Sequence, residues 1–437
     1  MTFDPVGRPR WCRSIALVNE RILILGGGTG GTLAANRLRK ALPHRTSITV
    51  VDENDRHVYQ PGLLFVPFGL AAPDEIVRPR ALQLHHGIDY HQSAVDHVDL
   101  DADRVHLADG ATLDYDVLVV ATGCRLVPEE TEGLVGPGWM RDVFTFYDLE
   151  GATALHRALT EFTGGRLVVN VVDLPIKCPV APLEFCFLAD WYFHERGMRD
   201  DVDIVYVTPL DGAFTTPTAS RALAGMLEER HIELVAEFNT GEVVCDETGG
   251  GRLVGYDGTE VPFDLAVVIP MHSGATYVGR SPGLGDDLDF VTADEHTLQA
   301  AAKANVFALG DAASLPISKA GSVTHFEGEV LVENIIRFLR DEPLDASYDG
   351  HANCFIETGF HKAMLIDFNY DQEPVGGHFP TRVGVPLLEE SRLNHLGKLM
   401  FQWFYWHALL PGRDIPGITS AMPTAGKHVE PTTPSPT

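Results

Sequence analysis

The sequence Arg21-Ile-Leu-Ile-Leu-Gly-Gly-Gly-Thr-Gly-Gly31 joins an apolar run to a cluster of glycines, and a helical run over 32–40 follows it. Ser47–Val51 is a second apolar run, and it ends at Asp52. The βαβ unit that binds dinucleotides consists of a strand, a glycine-rich turn, a helix and a second strand that ends in an acidic residue. A glycine-rich surface loop is the alternative, but strand, helix and acid all stand in register.

Three glycines and one aspartate of this unit have predicted roles. Gly26 allows the tight turn, Gly28 lets the backbone approach a pyrophosphate, and Gly31 lets helix and strand pack closely. Asp52 is placed to accept hydrogen bonds from ribose hydroxyls. These four residues are the predicted nucleotide site.

A second nucleotide fold follows, but its phosphate loop is missing. The run 166–172 has the branched apolar residues of a buried strand, and further strands are predicted at 203–208 and 232–236. The turn Asp173–Pro182 contains three prolines, Cys178 and no glycine, so its backbone cannot cradle a pyrophosphate. Thr208 stands where an acid for a nicotinamide ribose is expected. The fold class is therefore α/β with two Rossmann-like domains, and the predicted electron donor is one that cysteine chemistry handles.

Two later segments specify the dinucleotide. Tyr115–Gly123 is an apolar strand that ends in Thr122 and Gly123, and Asn305–Asp311 ends in Gly310 and Asp311. This order resembles the two-dinucleotide-fold flavoprotein disulfide reductase superfamily. The resemblance implies FAD as cofactor, with Asp311 on the ribityl chain; a helix cap is the alternative role for Asp311.

Three further motifs resemble those of sulfide:quinone oxidoreductases, and the resemblance runs from about residue 21 to 415. They are Arg56–Phe65, Ile176–Phe185 and Tyr348–Cys354. The resemblance implies oxidation of sulfide to polysulfide or elemental sulfur, with electrons passing through FAD to a membrane quinone. Members that carry glycine-rich sequence around the second-domain cysteine differ from this chain, so no subtype is assigned.

The resemblance also places redox cysteines beside the flavin. Cys178 and Cys354, called the cysteine pair below, match the family's positions, and Cys124 is a candidate third cysteine. Two buried hydrophobic residues would be the alternative reading of the pair. Lys177 is expected to favour a thiolate at Cys178 by its charge, although it could simply face water. Lys319 is expected to approach the pyrimidine side of the flavin.

Other cysteines and the histidines carry no predicted chemistry. Cys12 and Cys245 are expected to be incidental, and Cys186 is expected to pack in a core. The 19 histidines show no metal-ligand spacing, so no metal is predicted.

Composition excludes other classes of protein. The 437 residues carry a formal charge of −28, which argues against nucleic-acid binding. There is no convincing secretion signal and no run of about 18 apolar residues, so a peripheral membrane protein, on the cytoplasmic face, is expected. A homo-oligomer is left open.

The membrane prediction rests on the segment Leu393–Leu410. Five aromatic residues fall within 401–406, and apolar residues recur at helical spacing at Leu393, Leu396, Met400, Trp403, Phe404 and Leu410. Arg392 and Lys398 are expected to reach lipid headgroups. This favours a helix in the membrane interface over one docked on the protein's own body.

The motif order predicts six segments. They are a flexible tail (1–20), a first FAD-binding segment (21–145), a second Rossmann-like domain (146–275), a returning FAD-binding segment (276–345), a C-terminal domain with the aromatic helix (346–426) and a disordered tail (427–437). Three alternatives remain open: a type II NADH:quinone dehydrogenase, a soluble sulfide dehydrogenase flavoprotein, and a non-catalytic FAD-binding redox sensor. Reduction of the flavin by sulfide alone would separate the NADH dehydrogenase and the redox sensor from the predicted enzyme, and a following titration with a quinone analogue would test the soluble sulfide dehydrogenase.

Overall fold

A computed structural model describes residues 20–413 and 419–428. Its first strands are β1 (Arg21–Leu25), β2 (Ser47–Asp52), β3 (Arg56–Val58), β4 (Val77–Pro79), β5 (Asp89–Gln92), β6 (Val95–Asp99), β7 (Arg104–Leu107), β8 (Thr112–Asp114), β9 (Val117–Val120), β10 (Arg125–Leu126), β11 (Val143–Phe144), β12 (Gly165–Val171) and β13 (Val202–Val207). They continue with β14 (Glu233–Val235), β15 (Thr240–Cys245), β16 (Gly251–Gly255), β17 (Glu260–Phe263), β18 (Leu265–Ile269), β19 (His272–Ser273), β20 (Val291–Thr292), β21 (Val306–Ala308), β22 (Ala313–Ser314), β23 (Ala352–Gly359), β24 (Lys362–Phe368), β25 (Gly377–Phe379) and β26 (Val385–Leu387). The helices are α1 (Thr29–Ala41), α2 (Leu149–Glu161), α3 (Ala181–Glu195), α4 (Pro217–Glu229), α5 (Thr276–Gly279), α6 (Gly321–Leu339) and α7 (Arg392–Phe404), and a π-helical turn over Tyr405–Leu409 follows α7.

The first sheet is parallel and has the strand order β21-β9-β1-β2-β5. Its central strand β1 is apolar after its first residue because both of its faces are buried. Ile22 and Ile24 pack with α1, whereas Leu23 and Leu25 pack with the antiparallel strands β6 and β7. The edge strand β21 comes from a late part of the chain, which therefore returns to this sheet.

The second sheet is also parallel, with the order β11-β18-β12-β13-β14. Leu167 and Val169 of β12 pack in the same core as Phe185 of α3, and Val168 packs on the other face with Val243 and the β15–β17 sheet. The prediction of an α/β fold with two Rossmann-like sheets is confirmed. The strands predicted at 166–172, 203–208 and 232–236 occur within one residue of those bounds, whereas the six segment boundaries stay predictions. Most of the two predicted tails, 1–19 and 429–437, lies outside the described residues.

The C-terminal part closes the space between the two sheets. The antiparallel hairpin of β23 and β24 packs against α3 and α6, and α7 lies on that hairpin. Ligands of such sheets bind at the carboxyl ends of the strands. The turns after β1, β9, β21 and β12 meet there, beneath α7.

Candidate functional site

A cavity of about 230 Å³ lies where these turns meet. Its wall contains most of the site residues predicted from the sequence: Gly28, Thr122, Gly123, Cys124, Cys178, Gly310, Asp311 and Lys319. Gly26, Gly31, Asp52 and Cys354 lie outside that wall. The structure thus brings residues from four distant parts of the chain to one site.

The glycine turn has no room for side chains where it packs, and open space where it faces the cavity. Gly26 has a φ of +94°, and a Cβ there would lie 2.3 Å from the carbonyl oxygen of Ala121. A Cβ on Gly31 would lie 1.8 Å from the carbonyl oxygen of Gly26, but one on Gly28 would meet nothing within 4 Å. No side chain caps the N-terminus of α1 at Gly28. The turn therefore fits a phosphate group, which would bind the amides of a helix N-terminus.

Asp52 stands at the end of β2, as predicted, but it already has partners. Its Oδ2 accepts a hydrogen bond of 2.7 Å from the Gly27 amide and pairs with the Arg80 guanidinium. Arg80 is buried, and it was not predicted because no motif in the sequence marks it. Asp52 fixes the glycine turn directly through Gly27.

Two tight turns, after β9 and β21, form another part of the cavity wall. Gly123 and Gly310 have φ values of +70° and +68°, which a residue with a side chain rarely adopts. The hydroxyls of Thr122 and Tyr277 lie 3.2 Å apart, and the Gly310 amide donates to the Glu327 carboxylate at 2.6 Å. Burial raises the pKa of Glu327 to about 7. Glu327 was not predicted from the sequence, because nothing marks it beyond its place in α6.

Asp311 and Lys319 are in contact with each other in this wall. Burial raises the pKa of the Asp311 carboxyl, and the charges of Lys319 and Lys177 oppose that shift. The Lys319 ammonium donates to the carbonyl oxygens of Asp311 at 3.0 Å and Ala313 at 2.8 Å. The Cys124 sulfur lies 3.8 Å from Asp311 Oδ2, and burial followed by the charge of Asp311 raises the pKa of Cys124 to about 12.

Cys178 is held by its backbone in the loop that follows β12. Its φ of +49° is an unusual conformation for a residue with a side chain. The Cys178 amide donates to the Lys319 carbonyl oxygen at 2.6 Å, and the Tyr147 hydroxyl donates to the Cys178 carbonyl oxygen at 3.1 Å. The loop is thereby fixed at the cavity by contacts on both sides.

Cys354 lies on β23, next to α6. The Ser322 hydroxyl, which lies beside Cys354, donates to the Asn353 carbonyl oxygen at 2.6 Å. Burial, followed by the charge of Glu184, raises the pKa of Cys354 to about 12. Burial likewise raises the pKa of Cys178, and there the charges of both Glu184 and Cys354 add to the effect. The two thiols are close enough to influence each other.

The expectation that Lys177 lowers the pKa of Cys178 is wrong. The Lys177 ammonium turns away and donates to Gln60 Oε1 at 3.0 Å and to the Tyr147 carbonyl oxygen at 2.8 Å. The cation that favours a thiolate at Cys178 is Lys398. It was not predicted because it is far from Cys178 in the sequence. Burial outweighs the effect of Lys398, so the pKa of Cys178 is raised.

Glu184 and Lys398 form a buried ion pair in the cavity wall. The Glu184 side chain is 1% exposed, so it is not solvated as a surface carboxylate would be. Lys398 also donates to the Phe355 carbonyl oxygen at 2.8 Å, so it cannot reach lipid headgroups as predicted. The pair was not predicted because its members are 214 residues apart and no motif connects them.

Comparison with known proteins agrees with this geometry. Residues 20–172 match the family model described as pyridine nucleotide-disulphide oxidoreductase. The mitochondrial sulfide:quinone oxidoreductase of Mus musculus is 26% identical over 406 residues, which cover 90% of this chain and 86% of the mouse protein. That of Schizosaccharomyces pombe is 27% identical over 419 residues, with 90% of each chain covered. This chain is therefore similar to sulfide:quinone oxidoreductases over nine-tenths of its length.

Solved structures of similar proteins share the fold of this chain. The X-ray structure of the sulfide:quinone oxidoreductase from Aquifex aeolicus superimposes with a TM-score of 0.77 at 21% identity, covering 90% of this chain and 92% of that one. An NAD-dependent persulfide reductase from A. fulgidus superimposes with a TM-score of 0.61 at 20% identity, covering 80% and 64%. The homology implies a flavin cofactor for this chain.

The aromatic C-terminal helix has two different faces. The apolar side chains of Leu393, Leu396, Leu399, Met400 and Trp403, called the α7 apolar face below, are 46–60% exposed. Leu410 is buried, so the prediction that it shares this face is wrong. The Tyr405 hydroxyl lies 2.8 Å from Thr29 Oγ1 and 2.7 Å from His57 Nε2. Tyr405 and Trp406 are buried, so this end of the segment is docked on the protein's body.

Of the remaining cysteines in the described part of the chain, neither Cys186 nor Cys245 lines the cavity. Cys186 is buried on α3, as predicted, and Cys12 lies outside the described residues. Cys245 is partly exposed, and all five cysteines within 20–413 are free thiols.

No group of three or more metal-binding side chains occurs among the described residues. In the same part of the chain, no helix is long and apolar enough to cross a membrane.

Proposed function

We propose that this protein oxidises sulfide to polysulfide or elemental sulfur and passes the electrons through FAD to a membrane quinone. One observation carries the proposal: Cys178 lies in the wall of the same cavity as the glycine turn and Asp311. It occupies the loop after β12, where a related enzyme would bind a nicotinamide. Enzymes named for this reaction are similar to the chain over 90% of its length.

The residues that would hold FAD come from four turns. Gly26, Gly28 and Gly31 would shape the pyrophosphate turn, and Asp52 would bind the ribose. Thr122, Gly123, Gly310, Asp311 and Lys319 would form the flavin side of the site. The flavin, when bound, accepts two electrons from sulfur and gives them to the quinone. A cation such as Lys319 stabilises negative charge that develops nearby.

The cysteine pair would carry the sulfur. In the oxidised protein, sulfide attacks a disulfide between Cys178 and Cys354; an S–S bond to one cysteine forms while the old S–S bond breaks. One cysteine becomes a persulfide and the other leaves as a thiolate, which is the electron donor for the next oxidation. Repetition lengthens the sulfur chain. Cys124 lies in the turn after β9 and matches neither position of the cysteine pair, so it would have a supporting role, and Cys124→Ser should be milder than loss of either member of the pair.

The membrane surface would be contacted by the α7 apolar face. Five large apolar side chains on one exposed helix face favour a peripheral position in the bilayer interface. The opposite face of the same helix lines the cavity through Lys398 and Phe401. A quinone from the bilayer would therefore reach the cavity beside α7.

Anaerobic titration tests the proposal. Sulfide should reduce the flavin of the purified protein, whereas NADH and NADPH should scarcely do so, because the Asp173–Pro182 loop has no glycine turn for a second pyrophosphate. Cys178→Ser is the matched variant, and it should keep its flavin and lose reduction by sulfide. Rapid bleaching by micromolar NADH would instead favour the type II NADH dehydrogenase.

A further inference from the structure

A line of buried ionisable side chains leads from the cavity to the surface of α7. Glu184 and Lys398 form its inner pair, in the cavity wall. Glu357 and His395 form its outer pair, in which His395 Nδ1 lies 3.0 Å from both carboxylate oxygens. The Glu357 side chain is 2% exposed and the His395 side chain 20% exposed. The inner end thus lies beside the thiols and the outer end reaches solvent.

The two pairs are joined to each other. The Glu357 amide donates to Glu184 Oε1 at 2.6 Å. Burial raises the pKa of Glu357, while its contacts with His395 and Lys398 oppose the shift. Burial disfavours the charge of Lys398, but the charges of Glu184, Cys178 and Glu357 outweigh burial and raise its pKa. Glu357 and Lys398 therefore both respond to the charge of Glu184, and Lys398 also responds to the Cys178 thiol.

We infer that Glu357 and His395 form the outer half of a proton relay between solvent and the Glu184–Lys398 pair. The inference rests on the proposed function, in which hydrogen sulfide and a quinone give zero-valent sulfur and a quinol. Two electrons and two protons leave the sulfur in each such turnover, and two of each enter the quinol. Buried thiols need a path for these protons, because the apolar surroundings disfavour separated charge.

One proton crosses the relay in five transfers. Glu184 accepts it from a thiol or from hydrogen sulfide, and Lys398 gives a proton to Glu357 while taking the one on Glu184. Glu357 passes its proton to His395, which releases it to water. Every group returns to its starting state, so the net change is one proton moved from sulfur to solvent. Glu357 and His395 act through the inner pair and are positioning residues for the thiol chemistry.

A nearby histidine provides a matched control. Glu184 faces the relay from α3, Glu357 from β23, and Lys398 from α7. His361, at the tip of the hairpin, places its ring 5.7 Å from that of His395 but is exposed. His361→Ala removes an imidazole from the same surface without removing a member of the relay.

Stopped-flow absorbance measures the relay directly in flavin-loaded protein mixed with sulfide. We expect flavin reduction to slow by at least about tenfold in Glu357→Gln and in His395→Ala, within the range for lost acid–base groups. Added imidazole should restore the rate of His395→Ala but not that of Glu357→Gln. His361→Ala should keep the wild-type rate. Unchanged rates in both variants, no rescue, or an equal loss in His361→Ala would overturn the relay.

A second measurement does not depend on turnover. In protein reduced with dithiothreitol and then desalted without oxygen, the rate of alkylation of Cys178 by iodoacetamide at a fixed pH reports its thiolate fraction. Glu357→Gln removes a negative charge beside Lys398. The Cys178 thiolate should then be favoured, and its alkylation should be faster. An unchanged rate would show that Glu357 does not influence the thiols. If wild-type protein is not reduced by sulfide, the proposed function fails, and the alkylation rate still decides whether the line of side chains reaches Cys178.

Discussion

Replacing two residues of the α7 apolar face by aspartate should weaken membrane binding strongly. Leu396 and Trp403 are 52% and 60% exposed, so about half of each side chain remains to be buried by a partner. Complete burial of a large apolar side chain stabilises by about 1.5–3 kcal/mol, so the exposed halves of these two contribute about 1.5–3 kcal/mol together. Since about 1.4 kcal/mol corresponds to a factor of ten, the double variant should bind about 10- to 100-fold more weakly.

The assay is co-sedimentation with liposomes of neutral phospholipid. Neutral lipid is chosen because the −28 charge of the chain would add repulsion from an anionic surface. The matched control is a double aspartate variant at Tyr256 and Leu288, which are 83% and 42% exposed and lie elsewhere on the molecule. It carries the same added charge and should bind like the wild type. Full binding by the α7 variant, or equal loss in the control, would refute the assignment of this face to the bilayer.

Three further changes test the site. Serine in place of either member of the cysteine pair should leave the flavin bound and abolish its reduction by sulfide, whereas Cys245→Ser should have no effect in the same titration. Gly31→Ala should lose flavin, read as absorbance per protein, because its Cβ would lie 1.8 Å from a carbonyl oxygen; Gly225→Ala, with no atom within 4 Å of its Cβ, should keep it. Burial raises the pKa of Glu327 from 4.5 to about 7, so the folded state holds more protons than the unfolded state in that window and stability falls as pH rises through it. Glu327→Gln should flatten this fall in thermal unfolding midpoints measured between pH 4.5 and 7.

The sequence predicted those features that depend on short, ordered motifs. The strand, glycine turn and helix around Gly26–Gly31 form as expected, because local backbone requirements select glycine there. The absence of glycine from Asp173–Pro182 was equally readable. Both predictions depend on which residue types a backbone conformation permits, and those residue types can be read directly from the sequence.

Tertiary pairings were not readable from the sequence. Lys398 was assigned to lipid headgroups because its helix looked amphipathic, yet it turns inward to Glu184, 214 residues away. Helical spacing defines a face, but it does not say which charged residue on the border of that face finds a buried partner. Arg80 and Glu327 were missed for the same reason, since Arg80 pairs with Asp52, 28 residues away, and Glu327 accepts from the Gly310 amide, 17 residues away.

The position of Tyr405 thermodynamically couples the end of α7 to the glycine turn. Its hydroxyl bonds to Thr29, the first residue of α1, and to His57, which in turn lies 3.2 Å from the Gly27 carbonyl oxygen. Any ligand that rigidifies the glycine turn therefore also rigidifies the segment that ends α7, and the converse must hold with the same free energy. If the α7 apolar face binds a bilayer as proposed, occupation of the nucleotide site should tighten that binding by the same factor as the bilayer tightens the nucleotide site.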